Sequence, residues 1–284
     1  MSNKHKNETI EIKYRTWYKG IPLKPIRLEI PGWAGDSHGH KDGDKPQPWH
    51  CVPFVEGSTY GLELIYPFEV ECHVKNIGGK TVFEGDWHIE QTPNDIQFPP
   101  FLTFAPGHFG FTSSMDIEAP PDHVIRLEPH PRFYTDTTGT VPLAVVGHIQ
   151  SEWWPKIFFV VFKSPLPGQE YIFRKGEPYA QILVLPRRLS YSVKEMTQKE
   201  KDLRLRRDHY ISQHRTKIAK NSWFDHLNNN FDDKYKVLSQ IYTREGVEGV
   251  DRFLAEIEAK TKSETEEKKE AGRNKFKRKL IIRK

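Results

Sequence analysis

Cysteine is scarce in this chain of 284 residues, which holds only Cys51 and Cys72. Two cysteines are too few for a disulfide framework, so the sequence predicts a protein of the reducing cytoplasm. No apolar run approaches the roughly 20 residues that a membrane-spanning helix needs, and no membrane partner is expected. Residues 1–11 are largely polar, so no signal peptide is expected either.

Several catalytic motifs are missing as well. The sequence holds no P-loop, no glycine fingerprint of dinucleotide-binding folds, no serine elbow and no CxxC pair. These absences argue against the common nucleotide hydrolases, dehydrogenases, α/β hydrolases and zinc ribbons. Whether the protein is an enzyme therefore stays open at this stage.

Proline is missing from one region only, because all 21 prolines lie at or before Pro186. The charge changes at the same border. Residues 194–284 hold 24 Lys and Arg against 16 Asp and Glu, a net charge of +8, whereas residues 1–193 carry −3. A region without proline that is rich in Lys, Glu and Arg has a helical composition. We predict a β-rich domain over residues 1–190 and a basic helical C-terminal region over residues 191–284, frayed after about residue 260.

The first region has the pattern of β-strands. Over residues 60–74 every even position is apolar or aromatic, while Glu63, Glu69 and Glu71 occupy odd positions. A period of two is typical of a half-buried antiparallel strand or hairpin, and Pro67 is expected at an edge or bulge because it cannot donate to the ladder. Further strands are predicted at 111–118, 124–128, 141–149, 157–162, 170–173 and 179–185. Short strands at this spacing favour a mainly β protein built as an antiparallel β-sandwich or a barrel.

Three apolar stripes at helical spacing follow in the C-terminal region. They consist of Leu203, Tyr210, Ile211, His214 and Ile218; of Tyr235, Leu238, Ile241 and Tyr242; and of Val250, Phe253, Leu254 and Ile257. We interpret the stripes as core or docking faces. Gly246 and Gly249 are expected to separate the second stripe from the third.

A loop rich in histidine is the first candidate site. It carries His38, His40 and His50, and the spacing of the first two resembles the first half of a cupin metal motif. Neutral imidazoles with nearby carboxylates would suit iron, zinc or manganese. A solvated surface loop explains the same pattern, because almost no apolar residue lies between Ala34 and Trp49.

Residues 49–188 resemble a family of bacterial and bacteriophage proteins that is known only as a domain of unknown function. The resemblance rests on the order and spacing of short motifs and implies a compact β-domain without an assigned activity. The motifs are Trp49-His50-Cys51-Val52-Pro53, Phe109-Gly110-Phe111-Thr112, Pro120-Pro121 ahead of Arg126 and Pro129, Glu152-Trp153-Trp154-Pro155 and Gly176-Glu177-Pro178-Tyr179.

A second resemblance concerns residues 176–182, which are similar to the Gly-acid-x-x-Ala-Gln segment of dUTPase and dCTP deaminase β-clip enzymes. In those families this segment lines the nucleotide pocket, and sites form across a trimer interface, which implies a homo-oligomer. Residues 129–132 and 146–149 fall where two further motifs of those enzymes would lie. The phosphate-binding serines and the catalytic aspartate are absent, and Gln150 or Glu152 would have to replace the latter. An amide cannot act as a base, so the resemblance implies a β-clip-like barrel more than it implies the reaction.

These motifs yield six candidate ligand-binding residues. Gln181 is included because a buried glutamine needs a hydrogen-bond partner, from the backbone or from a ligand. Trp154 would form an aromatic platform with polar neighbours, or close one end of the core. The six are Arg132, His148, Glu152, Trp154, Glu177 and Gln181.

Three functions remain open. The first is a β-rich ligand-binding or assembly module without a complete catalytic set or a cofactor, whose ligand is a small molecule or a nucleotide. Its basic helical arm would bind nucleic acid only weakly, because 16 acidic residues are interleaved with the basic ones. The second is a β-clip enzyme that processes dUTP or dCTP, and the third is a cupin-like metal-dependent oxygenase.

Overall fold

The computed structural model describes residues 9–16, 22–27, 52–85, 100–134, 136, 138–224 and 227–281. These described residues fall into two compact units, the first reaching to Tyr191 and the second running from Ser192, except that Val52 is grouped with the second. The predicted division into two domains implies that residues 1–190 and 191–284 fold independently, and this stays a prediction.

Short β-strands dominate the first unit. Its strands are β1 Lys13–Thr16, β2 Lys24–Pro25, β3 Leu62–Ile65, β4 Cys72–Ile77, β5 Lys80–Glu84, β6 Phe101–Ala105, β7 His108–Thr112, β8 Met115–Glu118, β9 His123–Glu128, β10 Gly147–Ile149, β11 Phe159–Lys163, β12 Glu170–Phe173 and β13 Pro178–Pro186. It also contains a short helix, α1 Val52–Ser58, and a 3-10 helix at Pro131–Tyr134.

The largest sheet of this unit has the strand order β10-β9-β13-β3-β2. Two three-stranded sheets, β11-β7-β6 and β12-β4-β5, and the pair β1-β8 complete the described strands of the unit. Every described pairing is antiparallel, and none of these sheets closes on itself. The prediction of a mainly β, antiparallel protein with a helical C-terminal region is confirmed, whereas the described strands form no closed barrel.

An aromatic core lies between these sheets. Phe111 on β7 is fully buried, and its ring centroid lies 4.6 Å from that of Phe101 and 4.8 Å from that of Tyr179. The ring centroids of Phe173 and Tyr66 lie 5.5 and 5.4 Å from that of Phe111. Tilted and edge-to-face ring pairs at such distances are favourable beyond the area that they bury. The high aromatic content of the sequence is therefore used to build a core.

The period-two segment of residues 60–74 is divided between β3 and β4, which lie in different sheets and so form neither one strand nor a hairpin. Leu64, Cys72 and Val74 are fully buried as the pattern predicts, but Val70 is 41% exposed. The chain leaves strand geometry after Ile65, where Pro67 has no N–H to donate to a ladder. The alternation alone gave no signal for this break.

The second unit is helical apart from the hairpin of β14 Ser222–Phe224 and β15 Asn230–Asp232. Its helices are α2 Gln198–Gln213, α3 Arg215–Ile218 and α4 Lys234–Ile281. α2 begins with a capping box, in which Thr197 and Glu200 each bond the other's backbone N–H. Gly246 interrupts α4 with a φ of +69°, as predicted, and the helix continues to Ile281.

A small apolar cluster holds the second unit together. Ile218, Leu254 and Ile257 are buried at its centre, and Tyr210 and Phe253 pack against them. Three residues of the predicted stripes are exposed instead: Leu203, Tyr235 and Tyr242. No helix in the described parts of the chain is both long and apolar enough to span a membrane.

Candidate functional site

One face of the five-stranded sheet carries a line of polar residues across four strands. Lys24 on β2 lies opposite Glu63 on β3, Glu63 lies opposite Gln181 on β13, and Gln181 lies opposite Glu128 on β9. Residues directly opposite each other share a face, so these four side chains form one row. We call Lys24, Glu63, Gln181 and Glu128 the polar row. Their neighbours along the strands, such as Ile182, enter the aromatic core on the other face.

Hydrogen bonds and ion pairs connect the row. Lys24 Nζ lies 3.1 Å from Glu63 Oε1, and Gln181 Nε2 donates to Glu128 Oε2 at 3.2 Å. Glu128 also accepts from Arg126 Nε at 2.5 Å through its other oxygen. Arg126 Nη1 in turn lies 3.3 Å from Nε2 of His148 on the edge strand β10. The predicted residues Gln181 and His148 are thus linked through two residues that the sequence analysis did not select.

The centre of the row is buried although it is polar. Glu63 is 5% exposed and Gln181 is 8% exposed. A polar group in such a position is costly unless it finds a hydrogen-bond partner, and a charge needs a counter-charge. Glu63 has Lys24, but the Oε1 atom of Gln181 meets no donor among the described residues. The row therefore contains one buried acceptor without a partner in the described part of the chain.

His130 approaches the row from the segment that follows β9. The backbone N–H of Arg132 donates to His130 Nδ1 at 3.1 Å, so this nitrogen carries no proton. The proton of the neutral imidazole must then lie on Nε2, 3.5 Å from Glu63 Oε2. Burial lowers the pKa of His130, although Glu63 acts in the opposite direction. The geometry gives a neutral imidazole that faces a buried carboxylate.

Arg132 and Glu177 form an ion pair beside His130. Arg132 lies in the 3-10 helix, and its Nη2 donates to Glu177 Oε2 at 2.7 Å. Glu177 follows Gly176, whose φ of +78° is a left-handed conformation that glycine adopts without strain. Arg174 Nη1 lies 3.9 Å from the same carboxylate oxygen. Two predicted residues are thus brought into direct contact, and each supplies the other's counter-charge.

The remaining predicted ligand residues lie elsewhere in the first unit. Glu152 is exposed and accepts from the backbone N–H of Asp122 at 3.4 Å. Trp154 is 46% exposed and packs edge-on against Trp153, with ring centroids 5.5 Å apart. None of these described contacts involves the polar row. The exposed rings also fit poorly with the alternative in which they close one end of the core.

The candidate metal ligands His38, His40 and His50 lie outside the described residues. Within the described residues, no group of three or more His, Cys, Asp or Glu side chains is arranged to hold a metal ion. The metal site stays a prediction.

Lys24, Glu63 and Glu128 were not predicted from the sequence, and Arg126 and His130 entered only as parts of motifs. Glu63 occupies an odd position of the period-two segment, where the pattern predicts exposure. The usable signal was the position of Gln181 between apolar residues on a central strand, because a buried glutamine needs a hydrogen-bond partner and its nearest neighbours are the adjacent strands. Those partners are set by register, which a single sequence does not reveal.

Comparison with known proteins assigns no family to this chain. No family model matches the sequence. No curated protein matches it either. Among solved structures, a native EIAV dUTPase covers 66% of this chain and 98% of its own at 12% identity, with a TM-score of 0.31. A mutant dUTPase from phage phi11 of S. aureus gives 11% identity over 66% of this chain and 97% of its own, with a TM-score of 0.33. At this identity and TM-score the likeness supports no assignment of substrate or reaction.

The neutral state of His130 leads to a pH dependence of folding. Its folded pKa lies below the ordinary value of 6.5 because of burial, so the unfolded chain binds the proton more readily. The titration of His130 therefore leaves the free energy of unfolding independent of pH above about pH 6.5. The free energy of unfolding falls as the pH drops from there toward the folded pKa. Urea unfolding of the His130→Gln variant should show a weaker decline in this window than the parent protein. The matched variant His123→Gln should decline like the parent, and an equal decline in all three would contradict the assignment.

Proposed function

We propose that the β-rich unit is a ligand-binding module whose site is the polar row together with His130. The supporting observation is the buried Oε1 atom of Gln181, which has no donor among the described residues. Leaving a buried acceptor without a partner costs about 1–3 kcal/mol, so such a group is expected to serve a purpose. A bound ligand would supply the missing hydrogen bond.

The chemistry of the row supports binding more than catalysis. Glu63 and His130 form a carboxylate–imidazole pair, but Lys24 neutralises the carboxylate, and the backbone bond from Arg132 holds the imidazole. No Ser, Cys or Thr side chain is hydrogen-bonded to this imidazole in the described structure, as a nucleophile–base arrangement would require.

The basic helical region contributes little nucleic-acid affinity in this proposal. Several of its cations are paired within the unit, including Arg207 with Asp251, Lys217 with Glu264 and Lys262 with Glu258. Cations already paired with carboxylates release fewer counterions when they meet a phosphate backbone. The arm is better described as a solvated helix stabilised by its own ion pairs.

A Gln181→Met variant tests the binding site. Methionine keeps the volume but offers no strong hydrogen-bond acceptor, so ligand affinity should fall about tenfold. The measurement is a thermal-shift screen of the full chain against metabolites that include dUTP and dCTP with magnesium. Gln169→Met, at an exposed turn, is the matched control and should leave every ligand-induced shift unchanged. If no compound gives a shift that depends on Gln181, the proposed site is wrong.

The β-clip enzyme is the second candidate. It is favoured by the contacts that connect Arg132, His130 and Glu63, which place the Arg132–Glu177 pair next to the row that contains Gln181. Turnover of dUTP or dCTP with magnesium is the direct assay. If neither nucleotide is turned over, this interpretation is wrong. If a nucleotide is turned over and Gln181→Met has the same rate as the parent protein, the enzyme's site does not involve Gln181.

A further inference from the structure

The polar row also indicates which chemical group it recognises. On the basis of the proposed function, we infer that the site binds an uncharged group that donates hydrogen bonds, such as a primary amide or a heterocyclic amine, in preference to an anion such as phosphate. The inference rests on the orientation of one amide and on the charge balance around it.

Glu128 determines the orientation of the Gln181 amide. An ionised carboxylate only accepts hydrogen bonds, so the amide must turn its NH2 group toward Glu128 Oε2, which lies 3.2 Å from Nε2. The reverse orientation would place a carbonyl oxygen against the carboxylate. The end of the amide without a partner is therefore its carbonyl oxygen, which is an acceptor and selects a donor.

The cations around the row already have carboxylate partners. Lys24 pairs with Glu63, Arg126 pairs with Glu128, and Arg132 pairs with Glu177. An anionic ligand would have to break one of these pairs and would meet three carboxylates. A neutral donor replaces neither partner of these pairs, because it adds a hydrogen bond to Gln181 Oε1, which has no partner among the described residues.

Long side chains at the two ends of the row give a route to this acceptor. The side chains of Lys24 and Arg126 are each 34% exposed, and that of Glu128 is 24% exposed. Lys and Arg side chains reorient readily at a surface while their stems stay packed. A shift of either side chain that keeps its ion pair is the route by which the inferred ligand would reach the oxygen of Gln181.

The first test uses benzamide, benzoate and inorganic phosphate as probes of the full-length protein. NMR titration follows the side-chain NH2 signal of Gln181, which is identified by its absence in Gln181→Met. Benzamide should shift this signal and bind at least about tenfold more tightly than benzoate, because the carboxylate offers no donor to Oε1. Phosphate should leave the signal unchanged.

A second variant changes the selectivity rather than the fold. In Glu128→Gln the neighbour can donate as well as accept, so the amide of Gln181 is free to turn over and present its NH2 group. The preference for benzamide over benzoate should then fall to about threefold or less, while binding of benzamide itself persists. Because the variant also removes the carboxylate partner of Arg126, benzoate binding is measured in Glu128→Gln/Gln181→Met as well, and the same gain in benzoate affinity there would assign the change to Arg126 and contradict the role of Gln181.

The outcomes separate this inference from the proposed function. Equal or tighter binding of benzoate or phosphate, dependent on Gln181, overturns the donor preference but keeps the binding site. A water molecule on Oε1 in an experimental structure, with no probe shifting the Gln181 signal, overturns both. Selective binding of benzamide that is lost in Gln181→Met and relaxed in Glu128→Gln supports both.

Discussion

Replacing Phe111 by alanine is expected to lower the free energy of unfolding of the β-rich unit by about 4 kcal/mol. The ring is fully buried, and the rings of Phe101, Phe173 and Tyr179 surround it at centroid distances of 4.6 to 5.5 Å. Alanine would remove these contacts and leave a cavity that the surrounding strands cannot collapse to fill. Urea unfolding followed by near-ultraviolet circular dichroism, which reports the packed aromatic rings, measures the loss.

The same experiment tests the predicted division into two domains. Circular dichroism at the helical band reports mainly the second unit. The midpoint of the unfolding transition at this band should therefore be the same in Phe111→Ala as in the parent protein. A transition that moves together with the aromatic one would mean that the two units unfold cooperatively and are not separate domains. Phe54→Ala is the matched control, because Phe54 is 59% exposed, and it should change stability by less than about 0.5 kcal/mol. If Phe111→Ala does not fold, Phe111→Leu should show about half of the effect.

The fold class could be predicted because it depends on local periodicity. The predicted strands at 124–128, 170–173 and 179–185 correspond to β9, β12 and β13 within one or two residues. Residues 141–149 were less predictable, since only β10 Gly147–Ile149 is a strand there and Ala144 makes an isolated bridge to Phe162. An apolar run that forms only a single bridge has the sequence pattern of a strand, although it lacks a ladder of backbone hydrogen bonds.

The candidate site was only partly predictable, because it depends on which strands are neighbours. Gln181 stood out by its apolar surroundings, but its partners Glu63 and Glu128 are 118 and 53 residues away. The register that places them opposite Gln181 is a property of the assembled sheet. The alternation even predicts that Glu63 is exposed, because it assigns Glu63 to the solvent face. His130 and Lys24 cover that face at this position.

Glu63→Gln should therefore be strongly destabilising for a substitution of nearly equal volume. Glu63 is 5% exposed, and its two carboxylate oxygens face Lys24 Nζ at 3.1 Å and His130 Nε2 at 3.5 Å. Removing the negative charge leaves a Lys24 ammonium without its counter-charge beside a buried imidazole. We expect a loss of about 1.5 kcal/mol, measured by urea unfolding at neutral pH, because Glu63 loses its charged contacts while the one-third-exposed Lys24 ammonium stays partly solvated. The Lys24→Met/Glu63→Leu double variant should recover part of this loss, because it removes both charges together.

An exposed glutamate gives the matched comparison for this prediction. Glu11 lies 3.8 Å from Lys13, with both side chains at least 70% exposed, so Glu11→Gln should cost less than about 0.5 kcal/mol. A similar cost for the two substitutions would mean that water screens Glu63 as it screens Glu11. The centre of the row would then be wet, and Gln181 Oε1 could find its donor in solvent. A large difference instead identifies the row as a desolvated site, in which one additional hydrogen bond from a ligand carries substantial affinity.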